Sequence, residues 1–474
     1  MSIFNWKTGI CLFMLISLWG CARDFTNPFD PNSTATDEWA PSNLQASLIA
    51  DNTVKLEWEK GSAYPVQFII ERRVNYGSFS ELATIENQEY TDMDISRDNV
   101  YTYRIRALAG NNVSIGSNTQ KLQWAEPGYL LWSLDSLVTS FHDTLSKMIS
   151  VGFSHDGSLI ATGEELQTRI WSAESGELIW FGRQNDEGNF IAFRPDDQLL
   201  QSGAATIDLQ NFTPVANNLS GDIRLFKFLP DNSGYAYIWS KYFYLVFFNG
   251  LGEWGTFEEP YYYNFTCVDF DLEQDCLVNG STSKLVRVYS IPDGDLIWTG
   301  THPAAVTSVD YAPDGKTIVA GSEDGTIHVW NAIPAGNIGE ILLTLRHSGA
   351  VNQVAYSANG TVIISGGADY TLRAWEATTG SLLWTVNTIK PVQQFFISSD
   401  DQFVVALVQD ERQDSWSEVE DGTFAVWSLV DGTELWSGGS AIDIALSNGN
   451  DLIAAVTGST LQVYSAQAKW IITE

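Results

Sequence analysis

One thirteen-residue pattern occurs eight times in this chain, and that recurrence limits the fold more than any other feature. The copies are VGFSHDGSLIATG (151–163), IAFRPDDQLLQSG (191–203), FKFLPDNSGYAYI (226–238), VDFDLEQDCLVNG (268–280), VDYAPDGKTIVAG (309–321), VAYSANGTVIISG (354–366), FFISSDDQFVVAL (395–407) and IALSNGNDLIAAV (444–456). Each reads as a short strand, a polar turn and a second strand. The third position of each copy is Phe153, Phe193, Phe228, Phe270, Tyr311, Tyr356, Ile397 or Leu446, at intervals of 35 to 49 residues.

Most copies are followed by a third strand ending in an aromatic, as in TRIWS, VRVYS, IHVWN, LRAWE, FAVWS and LQVYS. A fourth strand opens on glycine in GELIW (176–180), GDLIW (294–298), GSLLW (380–384) and GTELW (432–436), where glycine admits the positive φ of a tight turn. Four short antiparallel strands at this period predict the blades of a β-propeller. Residues 129–474 allow about 43 residues per blade for eight blades and about 49 for seven, and eight fits the repeat better. The propeller is therefore expected over 128–474. An outer strand is on offer at both ends, GYLLWSL (128–134) and AKWIITE (468–474). If 128–134 pairs with the last three strands, the ring closes by mixing its two ends, and the final segment becomes a cap or an extra edge.

The stretch HSGAVNQVAYSANGTVIISGGADYTLRAW places His347, Ser365, Asp369 and Trp375 at the positions of a buried hydrogen-bonded quartet, and here the array resembles WD-repeat proteins. The preceding copy keeps His302, Asp324 and Trp330 but has Ala320 in place of the serine, so its network should be incomplete. Satisfied networks of this kind lock strands in register. The G-x-L-[IL]-W outer strands are similar instead to quinoprotein-type propellers and to related outer-membrane assembly lipoproteins.

Ahead of the repeats, residues 39–125 carry a different pattern of short alternating runs. In YTYRIRAL, Tyr101, Tyr103, Ile105 and Ala107 face one way while Thr102, Arg104 and Arg106 face the other, which predicts one buried face. Pro41, Leu44, Trp58, Ile70-Glu71-Arg72, Tyr90-Thr91-Asp92 and Tyr101 resemble a fibronectin type III module. The resemblance implies a β-sandwich in which the Tyr101 hydroxyl bonds back to the preceding loop. The fold class expected for the whole chain is all-β, a fibronectin type III sandwich followed by a propeller.

Residues 1–20, MSIFNWKTGICLFMLISLWG, follow export-signal grammar: an early lysine, an apolar stretch and a small residue before Cys21. The apolar stretch is short for a permanent membrane span. Leu18-Trp19-Gly20-Cys21 resembles the bacterial lipoprotein box, which implies cleavage before Cys21 and acylation of its thiol. Several acyl chains on one residue give stable anchoring. Residues 21–38, with Asn27-Pro28 and Asp30-Pro31, read as a polar tether. The expected location is the cell envelope. Ala22 lacks the aspartate that retains some lipoproteins at an inner membrane, which favours the outer membrane on either its periplasmic or its surface side.

With 25 Lys and Arg against 58 Asp and Glu, the net charge of −33 would repel phosphate backbones, which sets nucleic acid aside as a partner. Four cysteines, two of them in the leader, supply no disulfide framework. A register pairing Cys276 with Phe270 and Cys267 with Asn279 would put those two sulfurs on opposite sheet faces.

The chain has five histidines, and it lacks His-Glu-x-x-His, Cys-x-x-Cys, Gly-x-Ser-x-Gly and phosphate-loop motifs, so neither enzymatic chemistry nor a cofactor is expected. The carboxylates of VDFDLEQDC lack the fixed glycine of a calcium loop and read as an acidic hairpin tip rather than a metal site. In GEWGTFEEPYYYN, Gly252, Gly255 and Pro260 interrupt any strand and leave Trp254, Tyr261, Tyr262 and Tyr263 on a loop, as candidate binding residues. The expectation is a scaffold that binds other proteins through the propeller. A glycan-binding module using those loop aromatics is the alternative.

Overall fold

The computed structural model describes residues 39–473 except 51, 62–65, 76, 136–147, 165–166, 184–189, 204, 216–222, 240–241, 248–255, 258–263, 272–274, 292, 333–337, 411–421, 459 and 468. The leader, the tether and Cys21 lie outside the described residues. Strands and turns account for the described chain, with no helix among them. Two compact units result, one ending at Ala125 and including Lys469–Glu474, the other spanning Glu126–Ala468.

In the first unit, Ser42–Ala50, Thr53–Glu59 and Glu89–Asp92 form one antiparallel sheet. A second sheet runs in the order Ser80–Ile85, Gln67–Val74, Tyr101–Ala109, Gln120–Ala125 and Lys469–Thr473. Trp39, Leu44, Leu56, Trp58, Phe68, Ile70, Tyr103 and Ile105 fill one core. The Tyr101 hydroxyl accepts a hydrogen bond from the Ser96 N–H at 2.9 Å, and Tyr103 donates to the buried Asp92 carboxylate at 2.8 Å. Arg104 and Arg106, on the opposite face, both bond Glu71, at 2.6 and 2.7 Å.

The second unit consists, among the described residues, of eight four-stranded antiparallel sheets. The first is Met148–Phe153, Leu159–Glu164, Gln167–Ser172 and Leu178–Arg183. The second to fourth begin at Ile191–Phe193, Ile223–Phe228 and Phe265–Asp271. The fifth to eighth begin at Val306–Tyr311, Val351–Tyr356, Val392–Ile397 and Asp443–Leu446. Burial is greatest on the middle strands of a sheet and least on the outer strand. Phe403–Val408, a second strand, is buried throughout, whereas the outer strand Ile341–Arg346 buries only Leu345. A strand packed by neighbouring sheets on both faces needs a continuous apolar run, and an edge strand does not.

The eighth sheet takes its outer strand from the other end of the unit: Leu130–Asp135 pairs with Thr460–Ser465, from Thr460 opposite Asp135 to Tyr464 opposite Leu130. The last strand, Lys469–Thr473, pairs instead with Gln120–Ala125 in the first unit. The second unit therefore ends at Ala468, where the repeat pattern had extended it to 474. Both end segments have strand-forming sequences, but only one place is open in the eighth sheet, and the segment opening on Gly128 occupies it.

Side chains on the first strands link several of the sheets to the next. Thr266 donates to the Val306 carbonyl at 2.6 Å, and Asn352 donates to the Val392 carbonyl at 2.9 Å. Asp269 accepts from the Tyr311 N–H and Asp310 from the Tyr356 N–H, each at 2.8 Å. The turns carry a second set of links. The left-handed turn residue is glycine in some repeats, but Asp197 and Asp401 adopt φ of 55°. Each accepts from two backbone N–H groups of the preceding sheet's turn, Asp197 from His155 and Asp156, and Asp401 from Ala358 and Asn359. Aspartate tolerates this conformation better than most side chains.

The outer-strand tryptophans supply a third set. Trp132 lies over Gly176 of the first sheet and donates its indole N–H to the Ala173 carbonyl at 3.0 Å. Trp384 lies over Gly432 of the seventh sheet and donates to the Leu429 carbonyl at 2.9 Å. Trp436 lies over Gly128 in the same way. A Cβ on Gly432 would come within 2.9 Å of the Trp384 ring, so this glycine is needed for the approach of the neighbouring sheet as well as for its φ of 72°.

The cysteine register differs from the one read from sequence. Asp271 is opposite Cys276 and Cys267 is opposite Gly280, with an irregularity between Phe265 and Cys267. That shift of one residue brings both sulfurs to the same face, in one apolar cluster with Val278, Val288 and Tyr311. No disulfide joins them nonetheless, because four residues of strand, about 13 Å, separate Cys267 from the position facing Cys276. Asp269 and Asp271 likewise lie within the strand Phe265–Asp271 and not at a hairpin tip.

Candidate protein-interaction site

The sixth sheet contains the quartet in hydrogen-bonded order. The Trp375 indole N–H donates to Ser365 Oγ at 2.8 Å, and Ser365 Oγ lies 2.7 Å from His347 Nε2. His347 Nδ1 is 2.9 Å from Asp369 Oδ1. Because the carboxylate only accepts, Nδ1 carries the imidazole proton and Nε2 accepts from the serine hydroxyl. Burial lowers the His347 pKa and favours the neutral ring this chain requires. Burial works in the other direction on Asp369, but hydrogen bonds from Thr371, His347 and the Ser348 N–H outweigh it and hold the carboxyl at about 2. Asp369 also pairs with Arg373 at 3.1 Å, and its bonds to His347 and the Ser348 N–H hold the turn between the second and third strands to the connection entering the sheet.

In the fifth sheet Ala320 offers no hydroxyl, and the network is rearranged. His302 Nε2 donates to the Ala320 carbonyl at 3.2 Å. Nδ1 is buried and has no hydrogen-bond partner among the described residues. Asp324 bonds Ser322 at 2.6 Å and the Thr326 N–H at 3.0 Å in place of the histidine. The His302 ring packs edge-on to Trp330 and lies 4.5 Å from that of His328. Burial, followed by the neighbouring His328, brings the His302 pKa down to about 4.

Two related arrangements escaped the sequence reading. In the first sheet Trp171 donates to Thr162 at 3.1 Å, and Glu164 pairs with Arg169 at 2.6 Å in full burial. In the fourth sheet the serine position is Asn279, buried to 1% exposure, with neither amide atom in a hydrogen bond among the described residues. The signal was present, since Thr162 and Asn279 occupy the twelfth position of their repeats, as Ser365 does.

The first strands wall a cavity of about 1100 Å³, lined by Ser150, Gln393, Gln394, Gln409, Asp410 and Asp443 among others. Amide and carboxylate groups dominate its polar lining. Nearby on the same wall, Lys227, Asp269 and Asp310 form a chain across the third to fifth sheets, with Lys227 bonded to Asp269. Loss of hydration and the charge of Asp269 raise the Asp310 carboxyl well above the ordinary range. Trp254, Tyr261, Tyr262 and Tyr263 lie outside the described residues. No group of three or more His, Cys, Asp or Glu side chains is placed to hold a metal ion among the described residues.

Residues 294–331 and 339–376 match the WD domain, G-beta repeat. They cover most of the fifth and sixth sheets, including both histidines described above. The chain is 25% identical over 206 residues to the serine-threonine kinase receptor-associated protein of Gallus gallus, an alignment covering 41% of this chain and 57% of that protein. It is 27% identical over 75 residues to periodic tryptophan protein 2 of Arabidopsis thaliana, covering 16% of this chain and 8% of the relative. The chain thus spans just over half the length of the first relative and under a tenth of the second.

Proposed function

We propose that this protein is a lipid-anchored scaffold of the bacterial cell envelope, in which a fibronectin type III module carries an eight-bladed propeller that binds other proteins. The observation that carries the reading is the set of eight four-stranded sheets packed one against the next, with WD repeats matched over 294–331 and 339–376. Such a framework holds many loops at fixed spacing, which suits recognition of a protein surface and requires no chemistry. The similarity to a receptor-associated protein supports binding over catalysis. The Leu18-Trp19-Gly20-Cys21 box supports the anchor, and Ala22 supports an outer-membrane destination.

Affinity capture of the full chain from its own envelope, after cross-linking, tests the reading. A partner recovered reproducibly with wild type, together with release of the Cys21→Ser variant from the membrane fraction, is the expected result. No reproducible partner would overturn the scaffold role, and unchanged fractionation of Cys21→Ser would overturn the anchor.

A further inference from the structure

On the first strands of the sixth, seventh and eighth sheets one position faces the last residue of the repeat: Gln353 opposite Gly366, Gln394 opposite Leu407 and Asp443 opposite Val456. At two of these the side chain closes the joint to the next sheet. Gln353 uses both ends of its amide on one residue, donating to the Phe395 carbonyl at 3.0 Å and accepting from the Phe395 N–H at 2.8 Å. Asp443 accepts from the Val151 N–H at 2.9 Å. Gln394 has the same side chain as Gln353, but the N–H it would take, that of Ile444, already donates to Asp443 at 3.0 Å. The Gln394 amide is left with no hydrogen bond among the described residues.

That partly buried side chain lines the cavity of about 1100 Å³ walled by the first strands. Phe153, Phe190 and Phe396 line the same space and are each partly buried, so the wall offers apolar surface beside the amide. The charged residues of the lining are compensated. Asp410 pairs with Lys390 at 3.0 Å, and the Asp443 carboxylate takes the N–H groups of Val151 and Ile444. An ion entering the cavity meets no unbalanced charge, which selects a neutral occupant. An extended peptide finds little to pair with either. The first-strand N–H groups of Val151, Tyr311, Val354, Tyr356, Phe395 and Ile444 already donate to side chains, so an added strand has no open edge to join.

We propose that this cavity binds a neutral saccharide, with the Gln394 amide bonding two neighbouring hydroxyls of one sugar ring. A hydroxyl both donates and accepts, so a vicinal pair satisfies the two ends of the Gln394 amide as the N–H and carbonyl of Phe395 satisfy those of Gln353. The C–H faces of the sugar rings pack on the phenylalanines of the wall, the combination of apolar lining and a few placed polar groups that ligand cavities use. The inference goes beyond the reading of the ring as a protein-binding platform and does not depend on it.

The test is isothermal titration calorimetry of the full chain with the neutral trisaccharides maltotriose, cellotriose and chitotriose. Saturable binding of at least one is expected. Gln394→Leu, which keeps the bulk of the side chain and removes both bonds, should weaken it about tenfold or more. Gln394→Asn, which withdraws the amide by one methylene, should weaken it about threefold to tenfold. Gln394→Leu should melt with wild type, since the fold loses no bond, whereas Gln353→Leu should melt lower and still bind the sugar. Failure of every trisaccharide to bind, or undiminished binding by folded Gln394→Leu, overturns the proposal. If Gln394→Leu does not fold, Gln394→Asn decides. Binding of an end-blocked Ser-Thr-Ser-Thr-Ser peptide that Gln394→Leu abolishes, with no sugar bound, makes the cavity a peptide site and overturns the proposal as well. A protein partner captured equally by wild type and Gln394→Leu, with no sugar bound, removes the saccharide proposal and leaves the platform reading in place.

Discussion

The Asp443 carboxylate accepts a hydrogen bond from the backbone N–H of Val151 at 2.9 Å, joining residues 292 positions apart. It repeats across the closure of the ring what Gln353 does between the sixth and seventh sheets, where its side-chain oxygen accepts from the Phe395 N–H at 2.8 Å. Trp132 over Gly176 is the outer counterpart, equivalent to Trp384 over Gly432. The joint between the last sheet and the first is therefore built from the same side-chain links as the internal joints, with no covalent bond.

Asp443→Ala should lower the stability of the second unit by about 1 to 3 kcal/mol, because it leaves the N–H of the buried Val151 without its acceptor. Asp443→Asn keeps a side-chain oxygen and should cost less than about 1 kcal/mol. Urea unfolding followed by tryptophan fluorescence measures both. Equal midpoints for wild type and Asp443→Ala would mean that the joint depends on packing alone.

Gly157 and Gly432 have the same φ of 72°, but a Cβ on Gly157 meets nothing within 4 Å whereas one on Gly432 meets the Trp384 ring. Gly157→Ala should cost about 1 kcal/mol, from backbone strain alone. Gly432→Ala should cost about 1 to 3 kcal/mol more, because the indole must leave its seat. Thermal melts of the two variants compare strain with docking, and equal losses would show that the tryptophan contributes nothing at this joint.

The repeat alone made the sheets legible, because strand, turn and glycine positions recur in local sequence. The closure by Leu130–Asp135 could be anticipated for the same reason, since GYLLW repeats the outer-strand motif. What local sequence does not contain is the neighbouring sheet. The glycine of that motif predicted a positive φ, but not that another sheet's indole would lie over it. The Cys267 register was misread because the irregularity after Phe265 moves the pairing by one residue, and nothing in FTCVDFD marks it. The His347 quartet was readable from residue types. Its variants at Thr162 and Asn279 were legible only from their place in the repeat, because each keeps only part of the residue pattern.

Ser365→Ala should destabilise the sixth sheet by about 2 to 4 kcal/mol, since it leaves the Trp375 N–H and His347 Nε2 buried without partners. Ala320→Ser in the fifth sheet should stabilise by about 1 kcal/mol or less, by offering a hydroxyl to Trp330 and His302. Hydrogen exchange at the amides of Val362–Gly367 and Thr317–Ser322 reads each sheet separately. Equal and opposite effects would show that the two networks are interchangeable, whereas the rearranged bonding of Asp324 predicts that the gain is smaller than the loss.

His302 makes stability depend on mild acid. Its pKa is lowered to about 4 in the folded chain against an ordinary value of about 6.5, so between these limits the unfolded chain binds the extra proton. The contribution is fully present above about pH 6.5 and is lost as the pH falls toward 4, about 2 kcal/mol by pH 5 and about 3 kcal/mol in total. His347, also lowered by burial, adds loss in the same direction. Asp369, held at about 2, keeps its contribution until the pH falls through about 4 toward 2, so it does not obscure the histidine window. Urea midpoints at pH 7, 6 and 5 should fall for wild type and fall less steeply for His302→Gln. The slope and not the absolute midpoint is the readout, because the substitution itself perturbs packing against Trp330. A wild-type profile that is flat from pH 7 to 5 would show that the His302 ring is hydrated and titrates as it does in the unfolded chain.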